Sequence, residues 1–137
     1  MFDALFYQHP GSAYVLDLHT SSGAGSPFAT TGDTLANRSF ARQLPIPHVL
    51  GIEEQIQGGL LEYLNNRGHV TMGFEGGLHD DPGVVARHKA LLWLALDRIG
   101  CVHRQDIPDY REQLRLIESA VKGVPRTLEV RYRHPVR

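Results

Sequence analysis

The sequence predicts an α/β fold: a mixed, mainly parallel sheet flanked by helices. Three observations carry this. Short, nearly continuous apolar runs occur at Tyr14–Leu18 and His69–Gly77, the pattern of strands buried on both faces. Glycine, serine and proline clusters separate them. Two stretches with helical spacing, Pro82–Gly100 and Asp109–Val121, alternate with the strands.

The elements follow in order. Tyr14–Leu18 reads as a buried strand, and "SSGAGSPFATTGD" (Ser21–Asp33) as a loop rich in breakers. Thr34–Leu44 reads as a helix, with Leu35, Phe40, Ala41 and Leu44 able to share a face and Pro45 stopping it. His48–Ile52 is a second strand, and Gln57–Gly68 an exposed connector with room for a helical turn. In the third strand, His69–Gly77, Val70, Met72 and Phe74 alternate until the paired glycines break it. Asp81 is the expected N-cap of the next helix, with Pro82 in its first turn and Gly100 closing it. That helix, Pro82–Ile99, is expected to pack on the sheet through Val85, Leu92 and Ile99. Asp109–Val121 is amphipathic, with Tyr110, Leu114, Ile117 and Val121 on one side. "RTLEVRYRHPVR" begins as an alternating strand; a strand by itself is not stable, so it reads as the start of a further unit.

Composition narrows the function. Lysine plus arginine (14) nearly balances aspartate plus glutamate (15), for a net charge of −1. That gives no reason to expect nucleic acid or an anionic membrane surface as partner. No apolar run approaches the roughly 20 residues of a membrane span. The lone Cys101 excludes an internal disulfide, and with an N-terminus unlike a secretory leader it fits the cytoplasm. Eight histidines make placement worth reading, since histidine is the usual metal ligand and proton carrier near neutral pH.

Two places could carry chemistry. In "YVLDLHTSSGAG", His19 is expected at a strand end, where ligand sites of open α/β sheets collect. Asp17, two residues earlier, projects to the same side and can fix the tautomer of a ligating imidazole. The alternative is a turn-capping Asp17 and a half-buried, satisfied His19. In "MGFEGG", Glu75 ends a strand before two glycines that let backbone or substrate come close. A carboxyl desolvated there would suit a general acid or base; the alternative is a turn cap or a partner for an arginine. His79 and Asp80 read either as groups supporting the site or as part of the "HDDPG" turn.

With "LDLHT" (Leu16–Thr20) and "FEGG" (Phe74–Gly77) in hand, the chain resembles the succinylglutamate desuccinylase/aspartoacylase family, zinc hydrolases with a zinc carboxypeptidase-like fold. The resemblance implies that His19 is the third zinc ligand and that Glu75 activates the zinc-bound water and passes its proton to the leaving amine. It implies a small-molecule N-acyl amino acid substrate, a partial catalytic domain over 1–105, and a helix and strand over 106–137 leading into a β domain beyond the chain. The family's first two ligands lie on an upstream His-x-x-Glu motif. Here the only earlier histidine is His9, and position 12 is serine. The chain by itself is therefore expected to bind zinc weakly or not at all and to be inactive. The family's substrate-binding Asn-Arg pair has no upstream match; "NR" at Asn37 and Arg38 follows His19 and takes no such role. Arg67, before the Glu75 strand, is a candidate for a substrate carboxylate. Two other readings stay open: a carboxypeptidase acting on peptides, and a non-catalytic binding module. Oligomeric state is not indicated.

Overall fold

A computed structural model describes residues 11–52 and 59–132. The molecule is α/β, with a five-stranded mixed sheet ordered β1-β4-β2-β3-β5. The strands are β1 (Tyr14–Ser21), β2 (Phe28–Thr30), β3 (His48–Leu50), β4 (Val70–Leu78) and β5 (Thr127–Glu129). The helices are α1 (Leu35–Ala41), α2 (Leu60–Asn65), α3 (Val84–Arg98) and α4 (Tyr110–Ala120). Among the described residues the β2–β4 pairing is antiparallel, and β1–β4, β2–β3 and β3–β5 are parallel.

The two strands singled out in the sequence are direct neighbours. β1 and β4 pair without a break from Tyr14↔Val70 to His19↔Glu75. Both run further than their apolar patterns predict. β1 continues through His19 to Ser21, so His19 lies inside the strand rather than just past it. β4 passes through its glycines to Leu78. Ser21 pairs with Leu78, so β4 spends three steps (75 to 78) where β1 spends two (19 to 21). This is a one-residue bulge at the glycine pair, and Gly77, at φ +120, supplies the backbone that it needs.

β2 falls within the segment read as loop. Three residues show no periodicity, yet Ala29 is fully buried and its N–H donates to the Pro47 carbonyl at 2.8 Å. α1 starts where expected: Thr34 caps it by accepting from the Asn37 N–H. Phe40, Ala41 and Leu44 are buried, but Leu35 is 88% exposed. The connector before β4 contains α2, which buries Leu61 and Leu64.

α3 begins at Val84, two residues after Pro82. The Asp81 carboxylate accepts from the Gly83 N–H at 2.7 Å in the preceding turn. Gly100 (φ +78) ends it, with Cys101 N–H bonded to the Leu96 carbonyl and Gly100 N–H to Asp97, a Schellman closure. Its buried face is Val84, Ala90, Leu91, Leu94 and Ala95. Val85 and Leu92, the expected packing residues, are exposed, while Ile99 does pack against the core. The helix is turned by one residue, about 100°, from the expected orientation. Ala90, Leu91, Leu94 and Ala95 join Phe40, Leu44, Met72, Phe74 and Ile117 in one core, with Tyr110 and Leu114 of α4 packed against it.

The C-terminal strand has a partner. β5 pairs in parallel with β3, and the Arg126 guanidinium donates to the carbonyls of Leu44 and Arg42. Among the described residues no helix is long and apolar enough to cross a membrane.

Candidate functional site

Strand pairing sets the geometry of the site. His19 and Glu75 are opposite each other on adjacent parallel strands, about 4.8 Å apart in backbone. Residues paired in this way project to the same side, and so do residues two apart on one strand. Asp17, opposite Gly73, therefore shares their side. β2 continues both rows, with Phe28 opposite Glu75 and Thr30 opposite Gly73. The next face over belongs to Leu16, Met72 and Phe74, which face the core.

Asp17, His19, Thr30, Gly73 and Glu75 line one cleft of about 210 Å³, whose far wall is Ile52 and the Gly59–Leu61 start of α2. The expectation that His19 and Glu75 face one cleft is met, although neither residue ends its strand. Gly73 contributes no side chain between Asp17 and Thr30, which leaves room there. A larger cavity of about 290 Å³ adjoins this one at Leu61 and holds Asp33, Glu62 and Asn65. It contains neither His19 nor Glu75, so the smaller cleft is the candidate for chemistry.

The side chains form a defined pattern. Asp17 Oδ1 lies 2.9 Å from His19 Nε2, a carboxylate–imidazole contact that orients the ring. The pair is partly solvated, with side-chain exposures of 38% and 56%. Glu75 differs: its Oε2 is buried and has no hydrogen-bond partner among the described residues. Glu75 as a residue lines the cleft, and a carboxylate there can accept a proton from a group that enters it.

The neighbouring residues sort clearly. His79 and Asp80 are exposed, and the Asp81 N–H closes their turn onto the Leu78 carbonyl; His79 Nδ1 meets Thr20 Oγ1 at 2.6 Å. The turn reading holds for both. Asn37 is a structural bracket. Its Oδ1 accepts the Thr71 N–H at 2.9 Å beyond the end of β2, and its Nδ2 donates to Gly32 O and Asn65 Oδ1. Arg38 is paired with Asp33. Arg67 does not reach the site. It precedes β4, whose first residue Val70 is already about 16 Å of strand from Glu75, and its guanidinium stacks 3.5 Å over the Tyr63 ring.

The glycines after Glu75 make room for α3 rather than for substrate. A Cβ on Gly76 would sit 2.6 Å from His88 Nε2, and one on Gly77 would sit 2.8 Å from the Arg87 guanidinium. Arg87 and His88 were not legible as site neighbours, because nothing local in the sequence ties them to β1 or β4.

No family model, curated protein or solved structure matches this chain. Among the described residues, no three His, Cys, Asp or Glu side chains come together to hold a metal ion. His9 lies outside the described residues. Taken as a set, the described residues do not fit a zinc ion, which needs about three protein ligands; they offer one oriented imidazole.

Proposed function

We propose that this chain is part of a zinc-dependent hydrolase, of the deacylase type, that cleaves the amide bond of an N-acyl amino acid. The observation that carries the reading is the register pair His19↔Glu75, with both residues on one cleft and Asp17 against the imidazole. In this reading His19 is a metal ligand held in one orientation by Asp17, and the other ligands lie outside the described residues. Glu75 accepts the proton of the attacking water and returns it to the departing amine. The partner is the small-molecule substrate. The exposed, unpaired Cys101 supports a reducing compartment, and we place the protein in the cytoplasm.

A second reading is a binding module without catalysis, in which the same cleft holds a ligand without a metal. Metal analysis and hydrolysis separate the two. The 137-residue chain should hold far less than one zinc, and the parent protein carrying an upstream His-x-x-Glu segment should hold one and hydrolyse a panel of N-acyl amino acids. In that protein His19→Ala should lose the metal. Glu75→Gln should keep it and lower kcat by about 10²–10⁴-fold, because an amide cannot take the proton. Stoichiometric zinc on this chain alone, or wild-type turnover by Glu75→Gln, contradicts these roles. A parent sequence with no such segment favours the binding module.

A further inference from the structure

β1 and β4 lose register immediately after His19 and Glu75, the two residues whose relative placement matters most. The ladder is interrupted there and resumes only at Ser21↔Leu78. Two successive residues of α3 meet the strands there. The His88 Nε2 donates to the His19 carbonyl at 2.9 Å. A carbonyl only accepts, so the proton is on Nε2. The same ring stands edge-on to Phe74, at 80° with centroids 5.4 Å apart, and lies against Gly76 closely enough to exclude a Cβ. One residue earlier, Arg87 Nε donates to the Gly76 carbonyl at 2.6 Å. Its guanidinium is largely buried and is also paired with Asp81. One carbonyl from each strand, His19 just before the bulge and Gly76 within it, is thus tied to one helix.

We propose that Arg87 and His88 are positioning residues for the His19–Glu75 pair, tying both strand backbones to α3 at the bulge, where the strand pairing is interrupted. The positioning role rests on the hydrolase reading, whereas the bracket can be tested without it. α3 suits the task because its buried face, from Ala90 to Ala95, is anchored in the core. Deep core packing is the least mobile part of a fold, and a site needs its groups held to a fraction of an ångström.

Amide hydrogen exchange on the 137-residue chain tests the bracket. His88→Phe keeps the ring against Phe74 but loses the donor. It should speed exchange about tenfold at residues 19–21 and 76–79 and leave Leu91 and Leu94 unchanged. His88→Gln keeps a donor and should restore slow exchange. Gly76→Ala, which displaces the His88 ring, should reproduce the His88→Phe pattern and add little to it in the double variant. Wild-type exchange at the strand ends in His88→Phe overturns the bracket. So does faster exchange spread evenly along α3, or a His88→Gln variant that behaves like His88→Phe. In the hydrolytic parent protein, His88→Phe should lower kcat about tenfold with KM near wild type, and His88→Gln should recover it. Hydrolysis with wild-type kcat in His88→Phe overturns the positioning role while the hydrolase reading stands. A parent protein with no hydrolysis overturns that reading, and the exchange pattern still decides the bracket.

Discussion

His48 is 2% exposed, sits on a three-residue strand and leaves its Nδ1 buried without a partner among the described residues. Its Nε2 meets Thr127 Oγ1 of β5 at 3.0 Å. Burial, and then the positive charges of Arg126, Arg42 and Arg38, hold its pKa below the usual histidine value. Once unfolded, His48 takes up a proton near its ordinary pKa of about 6.5, while in the native protein it resists. The unfolded state therefore binds more protons as the solution is acidified. The contribution of His48 to stability is complete above pH about 6.5 and is lost as pH falls from there toward its native pKa. Urea unfolding at pH 7.5, 6.5 and 5.5 should show a shallower pH dependence for His48→Gln than for wild type. Identical slopes would contradict the account.

At the scale of elements, α3 gives the sharpest test. Val84, Leu91 and Leu94 face the core; Val85 and Leu92 do not. Leu91→Ala should cost about 2–5 kcal/mol, whereas Leu92→Ala, on the surface, should stay within about 0.5–1 kcal/mol. Chemical denaturation of the two variants measures this, and equal losses would return the helix to the orientation expected from sequence. The stripes Val84/Leu91 and Val85/Leu92 are both apolar and both seven residues apart, so periodicity alone could not choose between them; the contact with Phe74 and Met72 does. What was legible was local: the apolar strands, the start of the helix near Thr34, the Gly100 stop, and the two-residue spacing that joins Asp17 to His19. What was not legible depends on distant partners. β2 is too short to show a period, and the approach of His88 to His19 spans 69 positions. The glycines beside Glu75 read correctly as a place of close approach, but the group that approaches comes from a later helix.

For the molecule as a whole, the sheet has β4 inside it and β1 and β5 at its edges. β4 is buried along most of its length, and every residue of β5 is exposed. β5 is thus held by its ladder to β3, by Thr127 on His48, and by Arg126 on the Leu44 and Arg42 carbonyls. Arg126→Ala removes a charged donor from two carbonyls and should cost about 1.5–3 kcal/mol. Exchange at residues 128–130 should rise before that of the β1–β4 ladder. If the two ladders open together, β5 belongs to the same cooperative unit as the centre of the sheet.

The bulge at Gly76–Gly77 has a consequence at the level of the gene. Past it, Ser21 pairs with Leu78 in the register that a chain one residue shorter would have with no bulge at all. Losing a single glycine codon would keep the reading frame and let the ladder close smoothly, with every downstream pairing intact. The missing residue would be felt only where Arg87 takes the Gly76 carbonyl and His88 lies against the Gly76 backbone. A Gly77 deletion should therefore fold with the far end of β4 unchanged in its exchange pattern and with the His19–Glu75 cleft altered. It is a length change that the scaffold absorbs and the site does not.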